Sequence, residues 1–535
     1  MSLVLAGAPP VCRRVGPTVG LATAPTGPLG AVLLGAPRRP RGPVDLAPPT
    51  WHVEVADGDG LAAYRRLRRH VFVSEQELFP SGAAEADDVD DDPRAVVLVA
   101  RLAGSGEVVG GVRLAPAGQH LTGGLDVGWW TGSRLAVAAG ARRAGGIGPA
   151  LVRAACAVAE QAGVLRFEAT VQRSAAPMFV RLGWVPVREV EVAGAPHVLV
   201  RWPCTRVQRL VAATKAPLGP LLQPLLAQDT GGAAALGGDG YLGDDAAPVP
   251  GSDLVAACDA VLPAMVEREP WWAGWCAALV NVGDVAAMGA EPVGLLDALA
   301  ARDTASAAQV LAGLRAGAEA FGVPVLGGYT QLGVPAALSV TALGRVPGGA
   351  APVPAGGGRA GMAVSLAVDT TGGWRAGHPG RQWDSSTGRD PAALRALTRT
   401  VAVARPAAAK DVSMAGLVGT LAMLAEASGC GAVLDVSKVP RPAGAGVGDW
   451  LTCFPGSGWV TADAPGAPLA DPGVPGFAVA ACGELTPGAG AALRWPDGEV
   501  TPAVGPATGL GPATGGGTDQ PGTDQPTRST RPDQP

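Results

Sequence analysis

Apolar and polar positions alternate with period two in some stretches and recur every three to four residues in others. "AVVLVARL" (95–102) reads as a strand, and "EVVGGVRLAP" (107–116) as its hairpin partner across Gly104–Gly106. "SRLAVA" (133–138) and "RFEATVQ" (166–172) are further strands, and between them "GPALVRAACAVAEQAG" (148–163) is an amphipathic helix closed by Gly163. Strand-like and helix-like segments thus alternate from Trp51 to about Pro203, and residues 204–228 read as a connector with a short helix. A second unit runs from about Asp229 to Leu485, with apolar strands "LVAAC" (254–258) and "ALSVTALG" (337–344) in its first half. Trp271, Trp272, Trp275 and Leu279 form an apolar stripe at helical spacing, better read as core than as a ligand cage. That helix ends in "NVGDVAAMGAEP" (281–292), where Gly289 can cap and Pro292 stops continuation. A Gly/Pro stretch near 347–358 divides this unit into parts spanning 229–350 and 351–485. The second part holds "AVSLAVDTTG", a loop at 372–389, and the helices "PAALRALTRTVAVA" and "SMAGLVGTLAMLAEASG". From 486 to 535 the chain turns low in complexity, and a disordered tail is expected.

Composition narrows the reading. The 535 residues are 47% apolar, enough for more than one full core. A net charge of −5 gives no basic footprint for nucleic acid or an anionic membrane. No run approaches the ~20 apolar residues of a membrane helix. The eight cysteines form no C-x-x-C pair and the five histidines are scattered, which argues against a zinc site or disulfide framework and for a reducing cytoplasm. Only Lys215, Lys410 and Lys438 are lysines; arginine carries nearly all positive charge. The wealth of Ala, Gly and Pro points to a GC-rich genome, so many glycines are expected to reflect coding bias. Residues 1–50, rich in Pro, Gly and Ala, are expected to be a disordered extension or to follow a misplaced start codon; Pro and Gly interrupt every run that a signal peptide would need.

The sharpest local motif is "RRAGGIG", Arg142 to Gly148, which follows a strand and opens a helix. Its backbone can wrap an anion, and the free N–H groups of the first helical turn can bind a pyrophosphate. With "YRRLRRHVFVSEQ" (64–76) before it and "SAAPMFVRLGW" (174–184) after it, the order resembles the GCN-related N-acetyltransferase (GNAT) family over about 51–203. The resemblance implies acetyl-CoA as acyl donor to an amine. It places the pyrophosphate on Arg142, Arg143, Gly145, Gly146 and Gly148, and the pantetheine arm on the strand at Leu135, Ala136 and Val137. Where many members carry a tyrosine acid this chain has Phe179. Glu75 and Glu168 are candidates for the base that takes the amine's proton, and each is equally readable as a solvated carboxylate. The run "EADDVDDDP" (85–93) is read as a solvated loop rather than a metal site.

In the second unit, Asp284 stands among Val, Ala, Met and Gly, where a lone carboxylate must be solvated, paired or metal-bound. Asp244 and Asp245 in "GDDAA" and Asp259 ending "LVAACD" precede it, and Asn281 shares its helix face. Each aspartate alone reads as a turn or cap, but together they can converge on Mg²⁺, which prefers oxygen ligands and bridges carboxylates to nucleotide phosphates. The small residues Ala286, Ala287 and Gly289 are expected to let this helix pack close to a strand.

The ordered set "GDDAA…ACD…NVGDVAAMGAEP…VPVLGGYT…VTALGRV" resembles the PurM-like superfamily over about 207–485. That superfamily includes aminoimidazole-ribonucleotide (AIR) synthetase and thiamine-monophosphate kinase. The resemblance implies Mg²⁺ on Asp244, Asp245, Asp259 and Asp284, and ATP near Gly243, Asn281, Gly327, Gly328 and Asp411. Two departures stand out: Tyr329 occupies the Asp position of "GGDT", and Met414 the second Asp of "D-x-S-D-G". The whole resembles a bacterial group that fuses a GNAT domain to an AIR synthase-related domain. The fold class implied is α/β and α+β: an N-terminal GNAT fold, then a two-part PurM-like α+β fold. The activity implied is acyl-CoA-dependent N-acylation combined with ATP/Mg²⁺-dependent chemistry on a small amine or amide. The alternative is an acetyltransferase carrying a non-catalytic nucleotide-binding or dimerisation module. A homodimer through the second unit is expected, with the acetyltransferase units as outer arms, because open sheets leave hydrogen-bonding edges exposed.

Overall fold

The computed structural model describes residues 51–79, 85–227, 235–467 and 469–513. The expectations for 1–50, for 514–535 and for a unit boundary at Asp229 lie outside the described residues.

The first unit is a seven-stranded sheet of β1 (Trp51–Val55), β2 (Val96–Leu102), β3 (Val108–Pro116), β4 (Trp129–Val137), β5 (Arg166–Gln172), β6 (Val185–Val192) and β7 (Ala195–Trp202), in the order β1-β2-β3-β4-β5-β7-β6. Helices α1 (Gly58–Arg69), α2 (Gln119–Thr122), α3 (Ile147–Gln161) and α4 (Ala176–Arg181) complete it. The strand and helix expectations at 95–116 and 148–172 hold to within a residue or two. β4 and β5 form the parallel pair, and their pairing stops at Gly132–Ala169. Beyond that point the strands part, and Ser133–Val137 keeps a strand partner only in β3. Arg134 lies in the left-handed region at φ 53°, an unusual state for arginine, and its carbonyl accepts a 2.8 Å hydrogen bond from the buried Tyr64 hydroxyl. The Tyr64 ring lies where a side chain at Gly111 would project, so the bulged β3–β4 edge requires that glycine.

The acidic run at 85–93 is solvated only in part, at Asp88 and Asp91. Glu85 is 2% exposed and pairs with Arg68 at 2.5 Å, while Asp87 and Asp90 bind Arg113 at 2.5 and 2.7 Å. Burial raises the Asp90 carboxyl, but hydrogen bonds from Arg68 and Arg113 more than offset it and hold its pKa below the usual carboxylate range. These carboxylates neutralise arginines on α1 and β3 that the fold buries.

Two helices, α5 (Arg206–Thr214) and α6 (Leu218–Leu226), make the connector. The first half of the second unit is a five-stranded sheet, order β11-β10-β12-β9-β8, of β8 (Ala247–Pro248), β9 (Leu254–Val261), β10 (Glu291–Ala301), β11 (Val325–Leu332) and β12 (Ala337–Arg345). Helices α7 (Pro263–Arg268), α8 (Pro270–Ala287) and α9 (Thr304–Phe321) accompany it. Pro270 fits the first turn of α8 and Gly289 closes it at φ 65°. Asp303 caps α9 by accepting from Ser306 N–H at 2.7 Å. A Cβ at Gly274 or Gly313 would overlap the facing helix backbone, so at these positions glycine answers a packing need rather than coding bias. Trp272, Trp275 and Leu279 are core as expected, whereas Trp271 is 38% exposed and stacks on Trp275.

The second half holds β13 (Ala363–Asp369), the short pair β14 (Gly373–Trp374) and β15 (Trp383–Asp384), β16 (Ala408–Asp411), β17 (Gly431–Asp435), β18 (Gly458–Asp463), β19 (Phe477–Thr486), β20 (Gly490–Arg494) and β21 (Val500–Val504), with α10 (Pro391–Leu397), α11 (Thr400–Ala404), α12 (Gly416–Ala427) and α13 (Val447–Thr452). Its main sheet runs β16-β18-β13-β19-β17-β20-β21. The end expected at 485 is therefore too early, because β20 and β21 form a hairpin across Pro496-Asp497-Gly498 and ordered chain continues to Ala513. The expected long helix at 391–404 is two, with the Thr400 hydroxyl bonded to Leu397 O at 2.7 Å at the break.

The first unit does not hang from the connector alone. Val127 and Trp129 of the first unit and Val207 and Val211 of α5 share one core with Leu366, Val418, Trp450 and Trp495 of the second half. Ala286 and Ala287 pack, as expected of small residues, close against strands: Ala409 of β16 and Trp459 of β18, with Val401 of α11 beside them.

Candidate functional site

Two sites follow from this frame. In the first unit, the chain leaves β4, turns through Ala139–Ala144 and enters α3 through Gly145 and Gly146, at φ 71° and 93°. Arg143 falls within that turn. Gly146 caps α3 without a side chain, so the first-turn N–H groups face outward with the helix dipole behind them. A Cβ at Gly148 would meet only Met178 and Val137, at 3.7 and 4.0 Å, which leaves the mouth of the turn open. The parted strand at Leu135, Ala136 and Val137 runs to this turn, so the anion cradle and the free strand edge are continuous. Arg142 donates through Nε to Val137 O at 3.0 Å and through both Nη atoms to Glu75, once at 2.9 Å. Arg142 is thereby committed to the wall of the site.

The two proposed bases fare differently. Glu75 ends a π-helical turn (His70–Glu75) that prolongs α1, and the Arg142 hydrogen bond lowers its pKa, which makes it a weaker base. Glu168 must be corrected. It is 2% exposed; its Oε1 accepts from Arg201 Nε at 2.8 Å and forms an ion pair with Arg166 at 3.0 Å, and its Oε2 accepts from Trp129 Nε1 at 3.1 Å. Buried and held by two arginines and an indole N–H, Glu168 belongs to the ion network that joins the domains rather than to an open site. Phe179 is buried against Trp184 at 5.4 Å and offers no acid.

The second site lies where α8, β9 and the Gly243–Asp245 loop meet β16. Asp284 and Asp411 are 8% and 6% exposed, and among the described residues neither carboxylate receives a hydrogen bond or ion pair. Asp411 packs on α8 at Gly283, where a Cβ would lie 2.8 Å from its Oδ1. Burial, then the charges of Asp259, Asp245 and Asp411, push the Asp284 pKa well above the usual carboxylate range. Burial, then Asp245 and Asp259, do the same to Asp411. Asp259, at the open rim of β9, is raised by crowding from the surrounding protein. Asp245 bonds Lys410 Nζ at 2.7 Å and accepts from Asp411 N–H at 2.6 Å.

Two expected ligands have structural work instead. Asp244 is turned inward: it accepts from Ala355 N–H at 2.7 Å, and burial pushes its carboxyl up to about 7, with Lys410 opposing. Asn281, fully buried, accepts from Asp259 N–H at 3.1 Å and donates to Ala277 O at 2.9 Å, so it fixes Asp259 from within the core. Gly243 begins the loop at φ 67°. Gly327 and Gly328 are not gathered here. They lie on the exposed edge strand β11, and Gly328 is three strands from Asp259, about 14 Å at ordinary strand spacing. Tyr329 and Met414 are 71% and 50% exposed.

Among the described residues, no three His, Cys, Asp or Glu side chains stand close enough to hold a metal ion unaided. The donor chemistry nonetheless fits Mg²⁺: hard oxygen groups, two of them buried without a partner. Two lysines join the carboxylates. Lys410 is 1% exposed between Asp244 and Asp245, and Lys215, closing α5, opposes the rise at Asp259 and Asp411. Two of the only three lysines therefore act on this cluster, and their rarity was the available signal.

The fold and the two sites define an acetyltransferase unit joined to a two-part carboxylate-bearing unit, and comparison with known proteins agrees. Residues 62–184 match the acetyltransferase (GNAT) family model. Residues 243–346 and 355–494 match the N- and C-terminal domains of AIR synthase related protein. An uncharacterized protein of Synechocystis sp. is 37% identical over 234 residues, 42% of this chain and 71% of that protein. A second, of Methanocaldococcus jannaschii, is 34% identical over 200 residues, 36% of this chain and 60% of that protein. The chain belongs to the AIR synthase related family and carries a GNAT domain ahead of it. Thiamine-monophosphate kinase of Synechococcus elongatus is 38% identical over 114 residues, 19% of this chain and 35% of that enzyme. A solved structure, AaThiL complexed with AMPPCP and TMP, aligns with 54% of this chain and 94% of its own at 20% identity and TM-score 0.41, values that do not speak to activity. Among the described residues no helix is long and apolar enough to cross a membrane.

Proposed function

We propose that the protein is a bifunctional enzyme: an acyl-CoA-dependent N-acyltransferase combined with an ATP- and Mg²⁺-dependent, AIR synthase-like activity on a small amine or amide. The observation that carries the second activity is the pair Asp284 and Asp411, buried and unpartnered beside Asp259 and Asp245. A cluster of that charge density is stable at neutral pH only when a cation enters it or protons remain. Asp259, Asp284 and Asp411 would hold Mg²⁺, with Asp245 flanking and Lys410 and Lys215 available to phosphate oxygens. When bound, Mg-ATP supplies an electrophilic phosphoryl group. The residues of the chain place it, offset its charge and exclude water on the α8 side. In the first unit, Gly145–Gly148 and the parted Leu135–Val137 edge would seat acetyl-CoA, with Arg143 near its phosphates. Glu75 remains the proposed base there, held by Arg142. The 38% identity of a 114-residue stretch to thiamine-monophosphate kinase supports ATP use.

A homodimer belongs to this reading. β11 is a sheet edge exposed along its whole length, with Leu326 at 57% and Tyr329 at 71% exposure, and a second copy would cover it. The seven described cysteines are all free, which suits a reducing cytoplasm. Tyr329 and Met414, where relatives of the superfamily carry carboxylates, favour the second reading, a nucleotide-binding module without turnover. Incubating the purified full chain with acetyl-CoA, Mg-ATP and a metabolite extract separates the two. Loss of an extract component with release of ADP supports catalysis. Acetyl transfer alone, with ATP bound and intact, supports the module.

A further inference from the structure

Beyond β21 the chain joins no sheet, yet residues 507–513 are fastened at several points. Glu426 of α12, 9% exposed, accepts through Oε2 from the N–H groups of Ala507 and Thr508 at 2.8 and 2.7 Å, and through Oε1 from Gly511 N–H at 3.2 Å. A buried carboxylate that gathers three backbone donors fixes the segment as an anion fixes a backbone nest. Thr508 O then accepts from Gly219 N–H of connector helix α6 at 2.8 Å. A Cβ at Gly219 would lie 2.6 Å from Gly509 O, so the two backbones touch.

The far end of this segment reaches the glycine-rich loop that carries the site. Ala513 accepts from Gly240 N–H at 2.9 Å and donates to Ala427 O at 2.8 Å. Ala513 also completes a small apolar cluster with Ala355 and Ala427, on which Leu242 packs. Leu510 lies over Gly243, 2.8 Å from where a Cβ would stand. Between Gly237 and Gly243 four glycines hold positive φ, at 96°, 79°, 85° and 67°. Such a loop is costly to order by itself, because glycine loses the most backbone freedom. Asp244 and Asp245 follow immediately and inherit whatever position the loop takes.

We propose that residues 505–513 form a strap that positions the Gly237–Asp245 loop for a magnesium-bound nucleoside triphosphate, with Glu426 as the positioning residue. Strap order and nucleotide binding are then linked, and linkage is reciprocal: whatever the strap contributes to affinity, the nucleotide returns as protection of the strap. The segment lies beyond residue 494, where the match to the C-terminal family domain ends. The inference rests on the reading of the carboxylate cluster as a Mg-nucleotide site.

Two measurements on the full chain test it: hydrogen exchange at Ala507, Thr508, Gly511 and Ala513 with and without Mg-AMPPCP, and Mg-AMPPCP affinity of Glu426→Gln beside its acetyl-CoA affinity. The proposal expects slower strap exchange on nucleotide binding. It also expects an affinity loss of about tenfold in the variant, with acetyl-CoA binding unchanged. Should Glu426→Gln fail to fold, the exchange experiment on the unaltered chain decides alone. Nucleotide that binds without protecting the strap overturns the inference and leaves the site reading intact. No binding of Mg-AMPPCP by the unaltered chain overturns the site reading itself, and the strap with it.

Discussion

Arg166 of the acetyltransferase sheet grips Asp497 across the domain boundary, Nη1 to Oδ1 at 3.0 Å and Nη2 to Oδ2 at 2.9 Å. The guanidinium also meets Glu499 at 2.7 Å and lies 3.7 Å from the centre of the Trp129 ring. The hairpin turn of the last domain is thus plugged into the first, and the two domains should unfold together. Arg166→Ala strips Asp497 of its ion pair and leaves Glu168 and Glu499 to share Arg201, and it should cost about 3 kcal/mol, the lower end for breaking a buried pair because Asp497 and Glu499 keep some solvent. Urea unfolding followed by tryptophan fluorescence should show one transition for the native chain and an earlier, split transition for the variant. Coincident curves would mean that Arg166 does not hold the two domains together.

The cradle at Gly146 requires both absence of a side chain and φ 93°. Gly146→Asp adds left-handed strain of about 1–2 kcal/mol and a negative charge facing the anion. Calorimetry with CoA should show at least a tenfold loss of affinity, about 1.4 kcal/mol. Equal affinity would mean that the pyrophosphate sits elsewhere.

Asp90 gives a pH dependence with a definite sign. Its carboxyl is held below the usual range by Arg68 and Arg113, so its stabilising effect is full above the unfolded pKa of about 3.9 and fades as pH falls through the lower folded value. Asp90→Asn should cost about 3 kcal/mol at pH 7, and the gap to the native chain should close progressively below about pH 4. A gap of constant size in acid would contradict the assignment.

The exposed edge strand predicts two copies of the 53.1 kDa chain in solution. Leu326→Glu places a charge on that edge without disturbing the carboxylates, and light scattering should move from dimer to monomer mass. A native chain that is already monomeric at micromolar concentration would dismiss the dimer.

Local chemistry was legible and distant pairing was not. Gly146 and Gly148 are readable because a strand, a glycine turn and a helix follow one another within a few residues. Asp284 is readable because a charge amid Val, Ala and Met demands an explanation. Glu168 misled because its partners Asp497 and Glu499, reached through Arg166 and Arg201, lie some 330 residues away, and no local pattern announces them. Asn281 misled in the same way: its contact is a backbone N–H of another element. The hairpin at 490–504 did carry a signal, apolar alternation around Pro496-Asp497-Gly498, but the repeats that follow it masked the pattern.

The central claim is that Asp284 belongs to a Mg-nucleotide site, and Asp284→Asn tests it most directly because it keeps the shape and removes the charge. ATP should be titrated calorimetrically into both proteins with and without Mg²⁺, with the metal-free thermal midpoint recorded beside each titration. The account predicts Mg-dependent binding by the native chain and at least a tenfold loss, about 1.4 kcal/mol, in the variant. It also predicts a metal-free midpoint for the variant at or above the native one, since one of four mutually repelling carboxylates is gone. Unchanged Mg-ATP affinity in a folded Asp284→Asn protein would contradict it.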